Sequence, residues 1–433
     1  MPENVAKPVM HTRKGLWSRL GAGLITGASD DDPSGIATYS QAGAQFGFQL
    51  AWTLLFTYPL MVVIQDISAR LGRVTGQGIA GNLRQHYSSA LLQAVVGLLL
   101  VANTLNIGAD LGAMAQATGL LLPHVHSWIW VLGYGVLCPL VQVSLSHARY
   151  VNVLKWLTLV LLSYFAVLFV IRVPWSDVAR FTLLPKWSAS SDYWLMVVAI
   201  LGTTISPYLF FWQASQEVED TKADAERVPL KDNPAQGPSA LARIRLDTLV
   251  GMGISNLVGL AILVTTGATL AKTGAHQIET SAQAAEALRP LAGDLAFALF
   301  AVGIVGTGLL SVPVLAGSAA YALGEARRWP VGLSRKPRHA KAFYGTVAAA
   351  TLLGAALNVA QVSPMKALVW AAVVNGIVAV PVMALLMRMA ANPLVMGRFV
   401  YSRGWLLVGW LATTLMAVAA VGWALAELWP TST

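Results

Sequence analysis

Hydrophobic residues fill the chain in long runs that polar residues cut only at intervals. That is the pattern of bilayer-crossing helices rather than of amphipathic helices around a soluble core. Eleven segments reach spanning length, near residues 21–46, 50–69, 89–122, 127–146, 151–171, 193–215, 246–271, 293–323, 343–361, 366–389 and 404–427. The third and eighth exceed the roughly 20 residues a span needs, so they tilt or extend beyond the membrane. Residues 215–245, "SQEVEDTKADAERVPLKDNPAQGPSALARIR", read as a short cytoplasmic helix and a linker. The pattern predicts an all-α polytopic membrane protein in three parts. A tail (1–20) precedes a ten-helix core (21–390) whose halves join through 215–245, and one more helix lies in 391–433.

Composition agrees: 56% of residues are hydrophobic, mean hydropathy is +0.61 and only 11% are charged, against about 25% in soluble domains. The net charge of +9 finds its explanation in topology. With the N-terminus in the cytoplasm, 23 of the 29 Lys and Arg residues fall on the cytoplasmic side and 6 on the other. By the positive-inside rule this puts the N-terminus inside and the C-terminus outside, and leaves no reason to invoke nucleic acid. The expected setting is a bacterial inner membrane, with the lipid bilayer as partner and no obligate protein partner. A single cysteine, Cys138, excludes an intramolecular disulfide and a thiolate metal cage. The N-terminal apolar run meets an acidic triplet instead of a cleavage site, so it is no secretory signal.

Two segments break the apolar pattern at matching places. The first carries "ASDDDPSG" (28–35), and the sixth reads "AILGTTISPYLFFWQAS" (199–215) with Pro207 near its middle. A charge at the centre of a membrane helix costs about 2.5–3.5 kcal/mol on insertion scales. Proline removes a backbone donor and clashes with the preceding turn, and the freed groups are tolerated only where they line a buried cavity or hold an ion. With five spans per half, the second half is inverted relative to the first. Interrupted spans in corresponding positions of two such halves point to a midplane site in a secondary transporter.

The chemistry on offer there is oxygen: the Asp32 carboxylate, carbonyls near Ser29 and Thr203, and the hydroxyls of Ser34 and Ser206. The histidines (11, 86, 124, 126, 147, 276 and 339) fall at tails, loops or span ends, and Cys138 lies in the fourth segment. Oxygen-only shells suit Mg²⁺, Ca²⁺ or Mn²⁺, whereas imidazole and thiolate suit Zn, Cu and Fe. Asp32, beside the proline, is the expected ligand. Asp31 either assists it or holds a proton, and Asp30 faces either a water-filled vestibule or an internal partner. Asp110, in "NTLNIGADLGAMAQ" of the third segment, is either a cavity group or a structural hydrogen-bond partner, and the same alternative holds for Asn375 in the tenth. Glu325, Arg327 and Arg328 are expected among headgroups at a cytoplasmic helix end. Neither HExxH nor GxSxG is present, so no enzyme is expected, and paired broken helices suit a carrier better than a channel.

With these residues in hand, the chain resembles the NRAMP (natural resistance-associated macrophage protein) family of divalent metal transporters over roughly residues 15–390. The most specific stretches are "GAGLITGASDDDPSGIATYSQAGAQFG" (21–47), "SARLGRVTGQGIA" (68–80), "DLGAM" (110–114) and "GTTISPY" (202–208). The resemblance implies a LeuT-like 5+5 inverted repeat with alternating access around a metal site between helices 1 and 6, and backbone-carbonyl ligands at Ser29 and Thr203. Three departures carry information. The family's DPGN is here Asp32-Pro33-Ser34-Gly35, so the aspartate is kept and the asparagine is lost at Gly35. Its Met-Pro-His is Ser206-Pro207-Tyr208, which removes a thioether and a histidine linked to proton movement. Its Asp-Leu-Ala-Glu is Asp110-Leu111-Gly112-Ala113, without the glutamate. These losses resemble the divergent branch that includes magnesium and manganese transporters. The expectation is a Mg²⁺/Mn²⁺ carrier with weak or absent proton coupling and no cofactor besides its cargo. Its metal site is Asp32, Ser29, Thr203, Ser206, Ser34, Gly35 and Asp31, with Asp110, Tyr208 and Asn375 as proton or cavity groups. A LeuT-like carrier of a small organic cation or other solute is the alternative.

Overall fold

A computed structural model describes residues 21–144, 162–271, 277–360 and 362–428. The tail 1–20, most of the fifth segment, and the basic residues at 149, 155 and 272 lie outside the described residues. The described chain is helical throughout: α1 (Ala22–Asp30), α2 (Pro33–Phe46), α3 (Ala51–Thr75), α4 (Ile79–His86), α5 (Ser89–Leu121), α6 (Ser127–Ser144), α7 (Leu162–Val170), α8 (Trp175–Leu183), α9 (Ser191–Thr204), α10 (Pro207–Ala223), α11 (Gly237–Thr269), α12 (Ala296–Arg327), α13 (Lys341–Leu357), α14 (Pro364–Ala390) and α15 (Arg403–Leu428). Among the described residues, nine helical stretches are long and apolar enough to cross a membrane. The first segment is divided. Its pieces of 9 and 14 residues would reach about 14 and 21 Å at 1.5 Å per residue, so only together do they match a core about 30 Å thick.

Apolar residues cover these helices on every side, and the inward face is picked out by its polar and small members. In α5 the buried positions Leu99, Ala102, Asn103, Asn106 and Asp110 recur every three or four residues, while Leu98, Val101 and Leu105 are exposed. A helix with polar groups inside and leucines outside is built for lipid, reversing the soluble arrangement. α9 and α10 are buried along almost their whole length, including Tyr208, Phe210, Phe211 and Trp212. The sixth segment therefore runs through the middle of the bundle. The first packs along α11 and the sixth along α3, the pairing that exchanging the two halves would generate. Small residues permit the closest crossing: a Cβ on Gly27 would collide with the Gly251 backbone, so the two backbones touch directly.

The charged segment 215–245 differs from its expected form. Residues 215–223 continue α10, and α11 begins at Gly237, leaving 224–236 as connector. The buried Glu217 explains the extension, because it pairs with Arg243 of α11 at 2.5 Å and keeps both helices going past the apolar run. Glu325 is a second correction. Its carboxylate turns inward, accepting hydrogen bonds from the N–H groups of Gly78 (3.0 Å) and Gly81 (2.9 Å). It thereby caps α4, which has no side-chain cap of its own. Asp247 does the same for α1, accepting from Gly21 (3.0 Å), Gly23 (2.7 Å) and Leu24 (3.1 Å). The first N–H groups of a helix have no partner within it, and here acids from other helices supply one.

Candidate metal site

Both interruptions follow from the local chemistry of a residue followed by proline. α1 ends at Asp30, Asp31 leaves the helical region (φ −85°, ψ 45°) and Asp32 is extended (φ −67°, ψ 172°), with Pro33 opening α2. α9 ends at Thr204, Ile205 leaves it (φ −121°, ψ 60°) and Ser206 is extended (φ −83°, ψ 132°), with Pro207 opening α10. A residue before proline is pushed toward extended conformations, and proline fits the first turn, where a missing N–H costs nothing.

The two breaks meet at Gly35. A Cβ there would lie 3.0 Å from the Asp30 carbonyl, 3.2 Å from the Thr203 hydroxyl and 3.5 Å from Asp32 Oδ1. The hydroxyl of Tyr208 crosses the same gap and donates to the Ser29 carbonyl at 2.8 Å. Asp32 Oδ1 accepts from the Gly35 N–H and the Ser34 hydroxyl, each at 2.7 Å, while Oδ2 accepts from the Asn106 amide at 3.1 Å. Asn106 in turn accepts from Asn375 at 2.8 Å, so a chain of amides runs from the tenth segment through the third to Asp32. None of Ser29, Asp30, Asp31, Asp32, Ser34, Asn106, Thr203, Ser206, Tyr208 and Asn375 is more than 2% exposed.

Not every residue singled out in the sequence faces this gap. Asp30 and Asp31 both turn to Ser255 of α11, at 2.5 and 3.3 Å, so Asp30 has an internal partner. The Ser206 hydroxyl turns back to the carbonyls of Gly202 (2.5 Å) and Thr203 (3.0 Å). Gly35 spends its N–H on Asp32 and supports that carboxylate instead of adding a side-chain oxygen. Asp110 accepts from Ser311 of α12 at 2.9 Å, and its other oxygen has no hydrogen-bond partner among the described residues. Asn106, Ser255 and Ser311 were missed. For Asn106 a signal existed: it stands one helical turn before Asp110 on the same face, inside a span where every polar residue is costly.

Among the described residues no cluster of three or more His, Cys, Asp or Glu side chains could enclose an ion. A cation at this site would be held by one carboxylate, main-chain carbonyls and small polar groups. Above the breaks, a cavity of about 200 Å³ lies between α2 (Gln41, Gln45), α9 (Leu195, Met196) and α14 (Met365, Lys366). Its roof is the loop before α12. Ile278 N–H donates to Gln41 (2.8 Å), the Ser363 hydroxyl to the Glu279 carbonyl (2.7 Å), and Lys366 to the Glu279 carboxylate (2.8 Å). Toward the other end, where the acid caps lie, α3 is tied to α10 by Gln65 on the Leu209 carbonyl (3.0 Å) and Ser68 on the Phe210 carbonyl.

These features define a polytopic helical membrane protein whose two broken helices converge on a buried acid at its centre. The chain belongs to the Nramp family, matching the profile "Natural resistance-associated macrophage protein-like" over residues 23–426; its relatives are transporters, not enzymes. It is 29% identical over 308 residues to a divalent metal cation transporter MntH of Ralstonia nicotianae, an alignment covering 68% of this chain and 66%, just under two thirds, of that protein. A protein of the same name from Verminephrobacter eiseniae is 26% identical over 365 residues, covering 81% of this chain and 80% of its own. The fold is that of the Eremococcus coleocola manganese transporter crystallised with an aromatic bis-isothiourea substituted compound (TM-score 0.75, 16% identity, 98% of this chain and 91% of that one). Mhp1, a nucleobase-cation-symport-1 family transporter, shares it more loosely (TM-score 0.59, 13% identity, 96% and 94%). These likenesses make the fold LeuT-like.

Proposed function

We propose that this protein carries divalent metal cations, Mg²⁺ and Mn²⁺ in preference to softer ions, across the membrane by alternating access between the two ends of the bundle. The carrying observation is the meeting of Asp32 and Thr203 across Gly35: one acid at one break, main-chain and hydroxyl oxygens at the other. The names of the MntH relatives and of the Eremococcus structure support metal as cargo. A hard cation prefers oxygen and a small one keeps several waters, as Mg²⁺ does. With Oδ1 committed to Ser34 and Gly35, Asp32 has only Oδ2 to offer, which favours an ion that arrives partly hydrated.

By the positive-inside rule the basic loops support an acid-capped end that faces the cytoplasm, with the N-terminus inside and the C-terminus outside. In this arrangement the roofed cavity beside α2, α9 and α14 is the outer vestibule. The cycle opens the Glu279 roof on one side and the Asp247 and Glu325 caps on the other, with the ion held at the breaks between. Ala113 has no titratable group and Tyr208 spends its hydroxyl on the Ser29 carbonyl, so neither replaces the glutamate and histidine of the family's proton path. Asp110 and Asp31 are the acids left to carry a proton, and coupling is expected to be weak or absent.

The test is a panel of Mg²⁺, Mn²⁺, Zn²⁺ and Ca²⁺ in proteoliposomes with a pH dye inside. Saturable Mn²⁺ and Mg²⁺ uptake without internal acidification, lost in Asp32→Ala, is expected. Uptake retained in Asp32→Ala places the site elsewhere, metal-driven acidification overturns the uncoupled mechanism, and no response to any divalent ion favours an organic solute.

A further inference from the structure

We propose that the side-chain amide of Asn106 is itself a ligand of the transported cation, turning its oxygen toward the ion by a flip that Asn375 accommodates. The proposal rests on the reading of Asp32 as the central acid. A carboxylate oxygen has about two lone-pair directions. On Oδ1 both are taken, by Ser34 and Gly35 at 2.7 Å each; on Oδ2 one is taken, by Asn106 at 3.1 Å. A cation approaching Asp32 must therefore come to Oδ2, and there it meets the Asn106 amide. An N–H directed at a cation is repulsive, whereas an amide oxygen is a good ligand for a hard ion. Rotation about the last torsion exchanges the two within one volume, and that torsion is broad and roughly two-fold.

The neighbour makes the exchange feasible. At present Asn375 Nδ2 donates to Asn106 Oδ1 at 2.8 Å, and Asn375 Oδ1 is buried without a hydrogen-bond partner among the described residues. If Asn106 turns, its Nδ2 faces Asn375. If Asn375 turns as well, its Oδ1 accepts that N–H. The unpaired group then moves from the oxygen to the nitrogen of Asn375, and Asn106 gives its oxygen to the ion. Occupancy at the first segment is thereby passed through the third to the tenth, by rotation of two side chains. The ion gains a neutral hard donor from outside the two broken helices, which adds affinity without adding charge.

Substitutions separate a ligand from a group that only steadies Asp32. Asn106→Leu removes both the oxygen and the N–H at similar size. Asn106→Asp keeps an oxygen and removes the N–H. Mn²⁺ affinity of the purified full chain is measured by titration calorimetry, with thermal unfolding as the control for folding. A ligand role predicts that N106L weakens Mn²⁺ binding about tenfold or more, in the range seen when a supporting metal contact is lost, and that N106D binds at least as tightly as the native chain. A steadying role predicts that N106D, which sets two carboxylates together, loses binding as N106L does; that result overturns the proposal. So does native affinity in N106L. If N106L does not purify folded, N106D against the native chain decides alone by the same criterion. Asp32→Ala keeps the two ideas apart: Mn²⁺ binding retained there removes the site, whereas binding lost there and intact in N106L removes only the role of Asn106.

Discussion

At the first interruption Asp32 sends its carboxylate forward onto the Gly35 N–H, capping the helix that Pro33 opens. At the second, Ser206 occupies the same place before Pro207 yet turns its hydroxyl backward onto Gly202 and Thr203, leaving α10 with no side-chain cap. Proline and an extended predecessor make both breaks; the predecessor's side chain decides what each contributes. One supplies a negative charge at a helix N-terminus, where the dipole favours it. The other supplies neutral oxygens at a helix C-terminus, where the dipole is negative without any charge being spent. A cation bound between them, as proposed above, would meet the Asp32 carboxylate and two sets of oriented carbonyls. Doubling the acid would bury two adjacent carboxylates, which repel and favour protonation of one of them.

The largest effect should come from removing the charge while keeping the cap. In Asp32→Asn the side-chain oxygen still accepts from Ser34 and Gly35, and the Asn106 amide that now faces an NH2 can turn its oxygen to it, so thermal stability should stay close to native while metal uptake in proteoliposomes falls at least a hundredfold. Asp32→Ala, by contrast, should also lose about 0.5–2 kcal/mol of stability with the cap. Uptake intact in Asp32→Asn would mean that Asp32 serves the backbone alone. Next in size is the change of donor at the second break. Ser206→Met places a thioether beside the ion and should raise Zn²⁺ uptake relative to Mg²⁺ by about tenfold, since soft ligands select softer metals. An unchanged ratio would mean that position 206 stays out of the ion's reach. Adding Asn at Gly35 should bring less, because its Cβ would come within 3.0 Å of the Asp30 carbonyl and push the first break apart. Smaller again is Tyr208→Phe, which deletes the 2.8 Å bond to Ser29. A single buried hydrogen bond contributes about 1 kcal/mol, so a slight fall in melting temperature and a few-fold change in uptake KM are expected. A hundredfold loss would give Tyr208 a direct part in transport.

The comparison also marks how far the sequence could be read. A proline alone signals little, since Pro59, Pro139, Pro313 and Pro381 all sit inside unbroken helices; the interruptions are legible as a pair, because acids stand beside one proline and Asp32-Pro33 and Ser206-Pro207 hold matching places in their segments. Side-chain direction is not legible. Ser34 and Ser206 look alike in sequence, yet one faces Asp32 and the other its own helix, because direction depends on φ, ψ and on what packs opposite. Asp30 and Asp31 are ambiguous in sequence for the same reason: Ser255, which draws both, comes from α11. Residues that act from other segments are the hardest. The caps made by Asp247 and Glu325 link positions 223 to 247 residues apart, and no local pattern announces them. Asn106 was within reach, one turn from Asp110, but its partner Asp32 lies 74 residues away.

The smallest effect is expected far from both breaks, at the roof. Glu279 hydrogen bonds to Lys366, and that contact with its charge holds the Glu279 carboxyl below its ordinary pKa. A depressed carboxyl contributes above its ordinary pKa, and the contribution is lost as pH falls through the depressed value. Both side chains are about half exposed, so water and salt screen the pair. Glu279→Gln should therefore change metal uptake by less than about twofold at neutral pH, an exposed pair being worth little. The difference should shrink further in high salt and vanish in acid, where the native carboxyl is neutral too. Hydrogen exchange of the 277–280 loop reads this directly: faster exchange in the variant at neutral pH, equal exchange in acid. The Gln41 and Ser363 contacts do not involve the Glu279 carboxylate, so they should keep the loop seated in both proteins. A large loss of uptake in Glu279→Gln would contradict this, and would make the roof, rather than the breaks, the step that limits transport.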